Sequence, residues 1–311
     1  MEQVSVIMLT YNRKEMVRNM IEDILGQTYK DFEYIIIDNG STDGTGEILK
    51  KYAEVDKRVK IITLTQAQSI GKARNIGVRN AKGRFIAFVD DDDRVKAGFI
   101  EFLFSLIKDN NADIAMCGAT EGDGETREPQ CLFDEKWILT GEEAVKLLLG
   151  RKYIRAGMPT KLYKKELLEM HPFEEGYRNE DIHTQYKYLL TSKVVVIHGV
   201  DNYYVTRHAS NVSGFTSNAG KWDARTMQDY LTAFHNRTEF VRQNAPGVYE
   251  LALYSEWSFM ISMIEKIDRF SLEDCQTIGR ELIKILKEHK EQFVNMPEIN
   301  DFEKEWIERY I

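Results

Sequence analysis

Four aspartates in a row, Asp90-Asp91-Asp92-Asp93, close an apolar run, Phe85-Ile86-Ala87-Phe88-Val89. No other feature limits the fold of this chain so strongly. A run of mainly β-branched and aromatic residues reads as a buried strand. Ending it in like charges costs free energy unless a cation neutralises them. Carboxylates at alternate positions suit a hard divalent ion such as Mg²⁺ or Mn²⁺, which often shares its shell with substrate phosphates. The carboxyl end of a strand in an α/β sheet is also where a ligand is expected. The plain alternative is a solvated acidic turn.

The residues around this run alternate in pattern. Strands are expected at Val4 to Leu9, Tyr34 to Ile37, Val59 to Leu64, Phe85 to Val89 and Ile114 to Cys117. Helices are expected between them, at Lys14 to Leu25, Thr42 to Tyr52, Ser69 to Ala81 and Ala97 to Lys108. Strands alternating with helices of this length indicate βαβ units and a mostly parallel sheet. The pattern then loosens. Thr120 to Pro129 reads as a loop, Gly141 to Leu149 and Asp181 to Leu190 as helices, Val194 to Ile197 and Asn202 to Thr206 as strands. From about Gly220 the character is helical, over Lys221 to Arg242, Tyr249 to Ile267, Leu272 to His289 and Phe302 to Arg309. The expected organisation is a first domain over 1–215, with halves 1–118 and 119–215, and a helical region over 216–311.

At 311 residues the chain has room for one large domain or two smaller ones. The net charge of -8 argues against a general nucleic-acid binder, which shows a basic face. Cys117, Cys131 and Cys275 are widely spaced and odd in number, which suggests a reducing compartment and offers no zinc pattern. The apolar opening from Val4 to Leu9 lacks a basic leader and a cleavage site, so it reads as a strand rather than a signal peptide. No segment approaches the roughly 18 apolar residues that cross a bilayer. The expected location is cytoplasmic.

Further polar clusters fall at the ends of the expected strands. The first strand runs into Thr10-Tyr11-Asn12-Arg13, the second into Asp38-Asn39-Gly40-Ser41-Thr42-Asp43-Gly44-Thr45. Asp38 is an acceptor-only group at a strand end, able to take an N–H from a base, although turn chemistry alone explains such a residue. For Ser41 and Asp43 helix capping is the expected role. In Gly71-Lys72-Ala73-Arg74-Asn75-Ile76-Gly77, Lys72 and Arg74 lie near a helix start, a place suited to anions. A solvent-facing basic turn is the alternative, and is preferred for Lys72.

Together the four segments, Val4-Ser5-Val6-Ile7 with Thr10-Tyr11-Asn12, Ile37 to Thr45, Ala73-Arg74-Asn75 and Phe88 to Asp93, resemble those of a family 2 glycosyltransferase of GT-A fold, from bacterial cell-surface polysaccharide and glycoconjugate synthesis. The resemblance covers about residues 3–210. It implies a nucleotide-diphosphate sugar as donor, most often UDP-linked, and Mn²⁺ or Mg²⁺. It places Thr10, Tyr11 and Asn12 at the nucleoside pocket, Asp38 on the uracil and Arg74 near the base or ribose. Its Asp-x-Asp motif falls on Asp90-Asp91-Asp92, with Asp90 on the ribose or a metal-bound water and Asp92 on the metal. Asp93 faces the donor sugar or orients its neighbour. The chain departs from the pattern at Leu9, where proline is common, at Asn39, where a second aspartate is usual, and at Asp91, where a small residue is usual.

By the same resemblance Glu180-Asp181 matches the Glu-Asp motif that supplies the general base, Asp181 ahead of Glu180. The plain reading is two acids complementing a helix dipole. Inverting transfer needs one carboxylate to take the acceptor proton. The diphosphate leaving group needs a metal in place of a general acid. Arg207-His208-Ala209-Ser210-Asn211-Val212-Ser213 is similar to a Tyr-x-Arg segment with downstream serines, which implies Arg207 on the diphosphate and His208 on the metal. Surface placement is the alternative for His208. Lys161-Leu162-Tyr163 resembles a segment lining the acceptor side.

The expected function is therefore metal-dependent, inverting transfer from a UDP-sugar to a hydroxyl of a saccharide, a lipid-linked glycan or a protein-linked glycan. A nucleotidyltransferase also pairs an α/β sheet with acidic metal sites, but usually shows a Gly-rich basic loop after the first strand, and Thr10 to Lys14 contain no glycine. A non-catalytic sugar-nucleotide-binding module is the third reading. The aromatic and Met content of the tail fits a helical core, a homo-oligomer contact, or a peripheral patch at the inner face of a membrane. Its mixed charges count against the last.

Overall fold

The computed structural model describes residues 3–208 and 219–311. The chain forms two compact units, Met1–Arg207 and His208–Ile311. The first is built on one ten-stranded sheet. Its first elements follow in the order the sequence predicts: β1 (Val4–Thr10), α1 (Val17–Leu25), β2 (Phe32–Asp38), α2 (Thr45–Val55), β3 (Val59–Thr63), α3 (Ile70–Asn80) and β4 (Phe85–Asp90). Next come β5 (Arg94–Val95), α4 (Phe99–Asn110), β6 (Ile114–Gly122), β7 (Glu128–Gln130), β8 (Lys136–Leu139) and α5 (Gly141–Leu149). The unit ends with β9 (Lys161–Lys164), α6 (Lys165–Met170), α7 (Glu180–Thr191) and β10 (Val195–Thr206).

The strand order is β3-β2-β1-β4-β9-β6-β10-β5, with β7 on β6 and β8 on β10. β1, β2, β3 and β4 pair in parallel. Every residue of β2 is buried, as expected for a strand covered on both faces. Helix α3 lies close on β1, since a Cβ on Gly77 would stand 2.7 Å from Ile7 Cγ2. The core collects Val6, Met8, Ile36, Ala87, Phe99 and Leu162, among others. At the opposite edge, buried Glu33 gathers the Ser5 hydroxyl at 2.5 Å, the Gly83 N–H at 3.2 Å, the Lys82 N–H and the Lys60 ammonium.

Two expectations fail here. Thr120 to Pro129 is not simply a loop, because β6 runs on to Gly122 and pairs with β7. A Cβ on Gly122 would stand 1.8 Å from Thr126 O, so this tight turn requires glycine. The two strands expected at Val194 to Ile197 and Asn202 to Thr206 are one, β10, whose pairing with β6 shifts register between His198 and Tyr203. The smaller strands β5, β7, β8 and β9 are not apparent in the sequence pattern.

The second unit contains α8 (Ala224–Asn244), α9 (Tyr249–Arg269), α10 (Gln276–Val294) and α11 (Asp301–Tyr310). Its apolar faces pair within the unit: Phe234 stacks on Phe259 at 4.0 Å, and Trp257 on His289 at 5.0 Å. Asp223 caps α8 and Asn300 caps α11 with a capping box. Among the described residues, no helix is long and apolar enough to cross a membrane.

Candidate active site

The parallel register brings three strand ends to one edge. Thr10 lies across from Asp38, and Leu9 across from Asp90. β1 sits where the strand order reverses, and the crevice outside such strand ends is where α/β sheets take ligands. The loops at this edge are laced together. Asn12, left-handed at φ 52°, donates its N–H to Ser41 Oγ and accepts from Thr42 N–H. Arg13 N–H donates to Thr45 Oγ1, and Lys14 N–H to Asp43 Oδ2. Asp43 Oδ1 also accepts from Thr45 N–H, but it lies one residue outside the N-cap of α2, which is Gly44 and has no side-chain cap, so the capping role expected of Asp43 is not met. Ser41 does not cap; it bridges the two loops. Asp38 is buried and accepts from Ser41 N–H at 3.0 Å, so turn chemistry occupies one of its oxygens. Tyr11, the residue after β1, is half exposed.

The four aspartates have four different surroundings. Asp93 is buried, accepting from the Tyr203 hydroxyl and from Thr206 N–H, each at 2.8 Å. Tyr203 in turn accepts from Asp90 N–H, so β10 fixes the end of β4. Burial, with Asp90 and Asp92 nearby, pushes the Asp93 carboxyl well up. Asp91 is buried too, and desolvation pushes it up to about 7, against the Thr10 hydroxyl and Arg13. The Thr10 hydroxyl lies close enough to Asp91 to act on it without completing a hydrogen bond. Asp90 has 47% of its side chain exposed, yet desolvation by the surrounding protein leads in raising it to about 6. Arg74 opposes that shift, and Asp92 and Asp181 add to it. The open half of Asp90 screens these charges. Asp92 has Arg13 Nη2 3.7 Å from its Oδ2.

Arg74 joins the two halves of the unit. It is buried on α3, with Nη2 3.9 Å from Asp90 Oδ1 and Nη1 2.8 Å from Glu180 Oε1. The latter is an ion pair whose angle falls short of a hydrogen bond. Its guanidinium also lies over the rings of Phe88 and Phe173, 5.4 and 5.5 Å from their centroids. A solvent-facing basic turn is thereby ruled out for Arg74. Burial pushes Glu180 up to about 7, Arg74 pulls it down, and Asp181 and Asp90 add to the rise. The next residue, Asn75, clasps the segment before α7: its amide donates to Phe173 O and accepts from Phe173 N–H, each at 2.9 Å. Ser69, the N-cap of α3, accepts from Gly176 N–H. These bonds set Asp181, partly exposed in the first turn of α7, within electrostatic reach of Asp90 and Arg74.

Lys161 is buried, its ammonium donating to Gly157 O and Pro159 O. Desolvation lowers it to about 8, although Asp181 lies close enough to oppose the shift. Arg207 pairs with Glu121 on β6. His208 is the first residue of the second unit, and the stretch from Ala209 to Ser213 lies outside the described residues. Among the described residues, no three His, Cys, Asp or Glu side chains are grouped to hold a metal ion alone. Asp90 and Asp92 nevertheless fit Mg²⁺ or Mn²⁺, which take one or two carboxylates and complete their shell with water and substrate phosphates.

Sequence reasoning missed the structural parts played by Arg13, Asn75 and Tyr203. Asn75 carried a usable signal, a polar residue one helical turn from Gly71 on a face that must pack closely. Tyr203 carried none, because its partners on β4 are brought to it only by the sheet.

Comparison with known proteins agrees with this architecture. The family model described as "Glycosyl transferase family 2" matches residues 5–169. The chain is 33% identical over 218 residues to Glycosyltransferase GlyG of Streptococcus pneumoniae serotype 4, covering 67% of this chain and 72% of that one. Other relatives are longer, and the chain spans 42% and 53% of two of them. Among solved structures, Staphylococcus aureus TarS 1-349 in complex with UDP-GlcNAc superposes with a TM-score of 0.60 at 19% identity, over 93% of this chain and 92% of that one. The mannosyltransferase PcManGT of Pyrobaculum calidifontis, in complex with GDP-Man and Mn²⁺, gives 0.60 at 16% identity, over 98% and 83%. The fold class expected from the sequence is borne out, and the chain belongs to glycosyl transferase family 2.

Proposed function

We propose that this glycosyltransferase moves a sugar from a UDP-sugar to an acceptor hydroxyl by inverting single displacement, with Asp181 as general base. The observation that carries the reading is the Arg74 bridge. One buried cation faces Asp90 at the nucleotide edge and Glu180 at the start of α7, so Asp181 stands across the crevice from the strand ends. In this reading Thr10, Tyr11, Asn12 and Asp38 line the nucleoside side, and Asp90 and Asp92 face the diphosphate. A divalent metal, when bound at these two carboxylates, would supply charge neutralisation for the departing diphosphate. The acceptor oxygen forms a bond to the anomeric carbon, and its proton passes to Asp181. The bond from that carbon to the phosphate oxygen breaks, and UDP leaves with the electron pair. Glu180, occupied by Arg74, acts as a positioning residue rather than a second base. The relative that acts on a poly(ribitol-phosphate), TarS, supports a cell-surface glycan acceptor by analogy. Action in the cytoplasm, on a saccharide or a lipid-linked glycan, fits this reading.

The test is calorimetry with UDP-glucose, UDP-galactose, their N-acetyl forms and a GDP-sugar, each with Mn²⁺ and with chelator, followed by transfer assays. One UDP-sugar is expected to bind in a metal-dependent way. Asp181→Asn is expected to keep that binding within about twofold while transfer falls by about a thousandfold, within the range for loss of a general base. Full transfer by Asp181→Asn would refute the base assignment.

A further inference from the structure

An aromatic cluster in the first unit takes no part in the reaction as proposed above. Phe133 stacks on Trp137, with ring centroids 4.4 Å apart and planes 24° from parallel. Tyr153 lies 4.8 Å from Trp137 and 5.6 Å from Phe133, steeply inclined to both. A ring nearly equidistant from two stacked partners, and crossed to both, stands beside the stack rather than on top of it. The face of Trp137 turned away from Phe133 is thus covered by neither ring, and all three side chains are partly exposed. The cluster is firmly seated. Phe133 N–H donates to Gly199 O at 3.3 Å, and a Cβ on Gly199 would stand 2.6 Å from Phe133 Cδ1. Cys131 Sγ donates to Lys152 O at 3.6 Å, which ties the Tyr153 loop to the Phe133 loop.

The sheet connects this cluster with the transfer edge. Trp137 pairs with Ile197, Ile197 with Met116 and Met116 with Lys161, in one row across β8, β10, β6 and β9. Partners in such a row point to one face of the sheet. Trp137 therefore shares a face with Lys161, and with Tyr163 two residues on, whose hydroxyl donates to Gln185 of α7. Asp181 stands in the first turn of that same helix. Three strand spacings, about 14 Å in all, separate Trp137 from Lys161. Residues 150–160, which carry Tyr153, run from the end of α5 to Lys161 at the start of β9.

Resting on the transfer reading above, we propose that Phe133, Trp137 and Tyr153 form a distal acceptor subsite, holding one sugar ring of an oligosaccharide whose end is glycosylated beside Asp181. A sugar ring presents C–H groups on its faces, and these are drawn to the negative face of an aromatic ring. Its hydroxyls lie round the perimeter, where exposed Asp134, Glu135, Lys136 and Lys152 offer both acceptors and donors. Lys152 already lies over Tyr153, 5.0 Å from the ring centroid, so Trp137 is the main platform. Rings fixed before binding lose little freedom when they hold a ligand. A single sugar cannot reach from Asp181 to Trp137, so the enzyme favours acceptors several sugars long.

The experiment is binding of the labelled full chain, with UDP and Mn²⁺ present, to a printed array of bacterial surface oligosaccharides graded in length from single sugars upward. Wild type, Trp137→Leu and Tyr153→Leu are compared, and calorimetry with UDP and Mn²⁺ is run on each. Wild type is expected to retain longer members of one series and to release the single sugar. Trp137→Leu is expected to bind the long members about tenfold weaker, the scale of one lost aromatic stack, and Tyr153→Leu about threefold weaker. UDP affinity is expected to stay within about twofold in both. Variants that match wild type on the array would overturn the proposal, as would a wild type that binds UDP but no glycan, or long and single sugars alike. Variants that lose UDP binding together with the glycan would make the cluster a structural support, which also overturns it. If wild type binds no UDP, the transfer reading fails first and the subsite falls with it.

Discussion

A buried guanidinium is stable only while its partner stays charged. Arg74 depends in this way on Glu180, which is itself 3% exposed. Removing one member of such a pair leaves an uncompensated charge and costs about 3–5 kcal/mol. Glu180→Ala is therefore expected to lower stability to urea by about that amount. Asp181→Asn, at a partly exposed position, should unfold close to wild type, so equilibrium unfolding separates two adjacent acids that a transfer assay would confuse. Glu33 gives a second test at this scale. Desolvation pushes its carboxyl up, but Lys60, Ser5 and the Lys82 N–H outweigh it and hold it below the ordinary glutamate value. Its unfolded form thus takes up a proton at higher pH than its folded form. The stabilisation is present in full above the ordinary glutamate value and is lost as pH falls through the depressed folded value. A Glu33→Gln variant should be weaker than wild type at neutral pH, with the gap closing in acid, as urea titrations across that range would read. The aspartates were legible as a candidate site because charge at the end of an apolar run is costly in any fold. The dependence of Arg74 on Glu180 was not, since nothing local pairs residues so distant in sequence.

Helix α3 does more than cover the sheet, because its amino end holds the segment that leads into α7. A Cβ on Gly71 would stand 2.5 Å from the Glu174 backbone oxygen, and a backbone atom cannot swing aside as a side chain can. Gly71→Ala should push that segment and Asp181 outward. Misplacement on the ångström scale costs about a hundredfold in rate. The expected outcome in steady-state kinetics is a fall in kcat of about that size, with UDP binding within about twofold of wild type. The elements that sequence periodicity captured, such as β2, α5 and α9, are those whose own residues state their burial. α5 was expected at Gly141 to Leu149 and found there, behind a Thr140 capping box. β9 and β8 were missed because four residues with lysine at one or both ends are strands only by virtue of their neighbours. The starts of α1 and α2 were read about three residues early, because turns at Arg13 to Met16 and at left-handed Gly44 come first.

For the whole chain, a ligand that binds only the folded state adds RT ln(1 + [L]/Kd), about 2.7 kcal/mol at a hundredfold excess over Kd. UDP with Mn²⁺ at such excess should raise the unfolding midpoint measurably, and UDP with chelator should not, as scanning calorimetry would record. The sheet also has a consequence for how the protein is made. β9 lies between β4 and β6 and runs antiparallel to both. During synthesis β4 must wait for residues 161–164, with Phe85 to Val89 carrying an open hydrogen-bonding edge until they arrive. An apolar strand in that state invites pairing with another chain. Residues 1–118 produced alone should therefore aggregate rather than fold into half an enzyme, and the interval before β9 leaves the ribosome is when the nascent chain is most exposed to that fate.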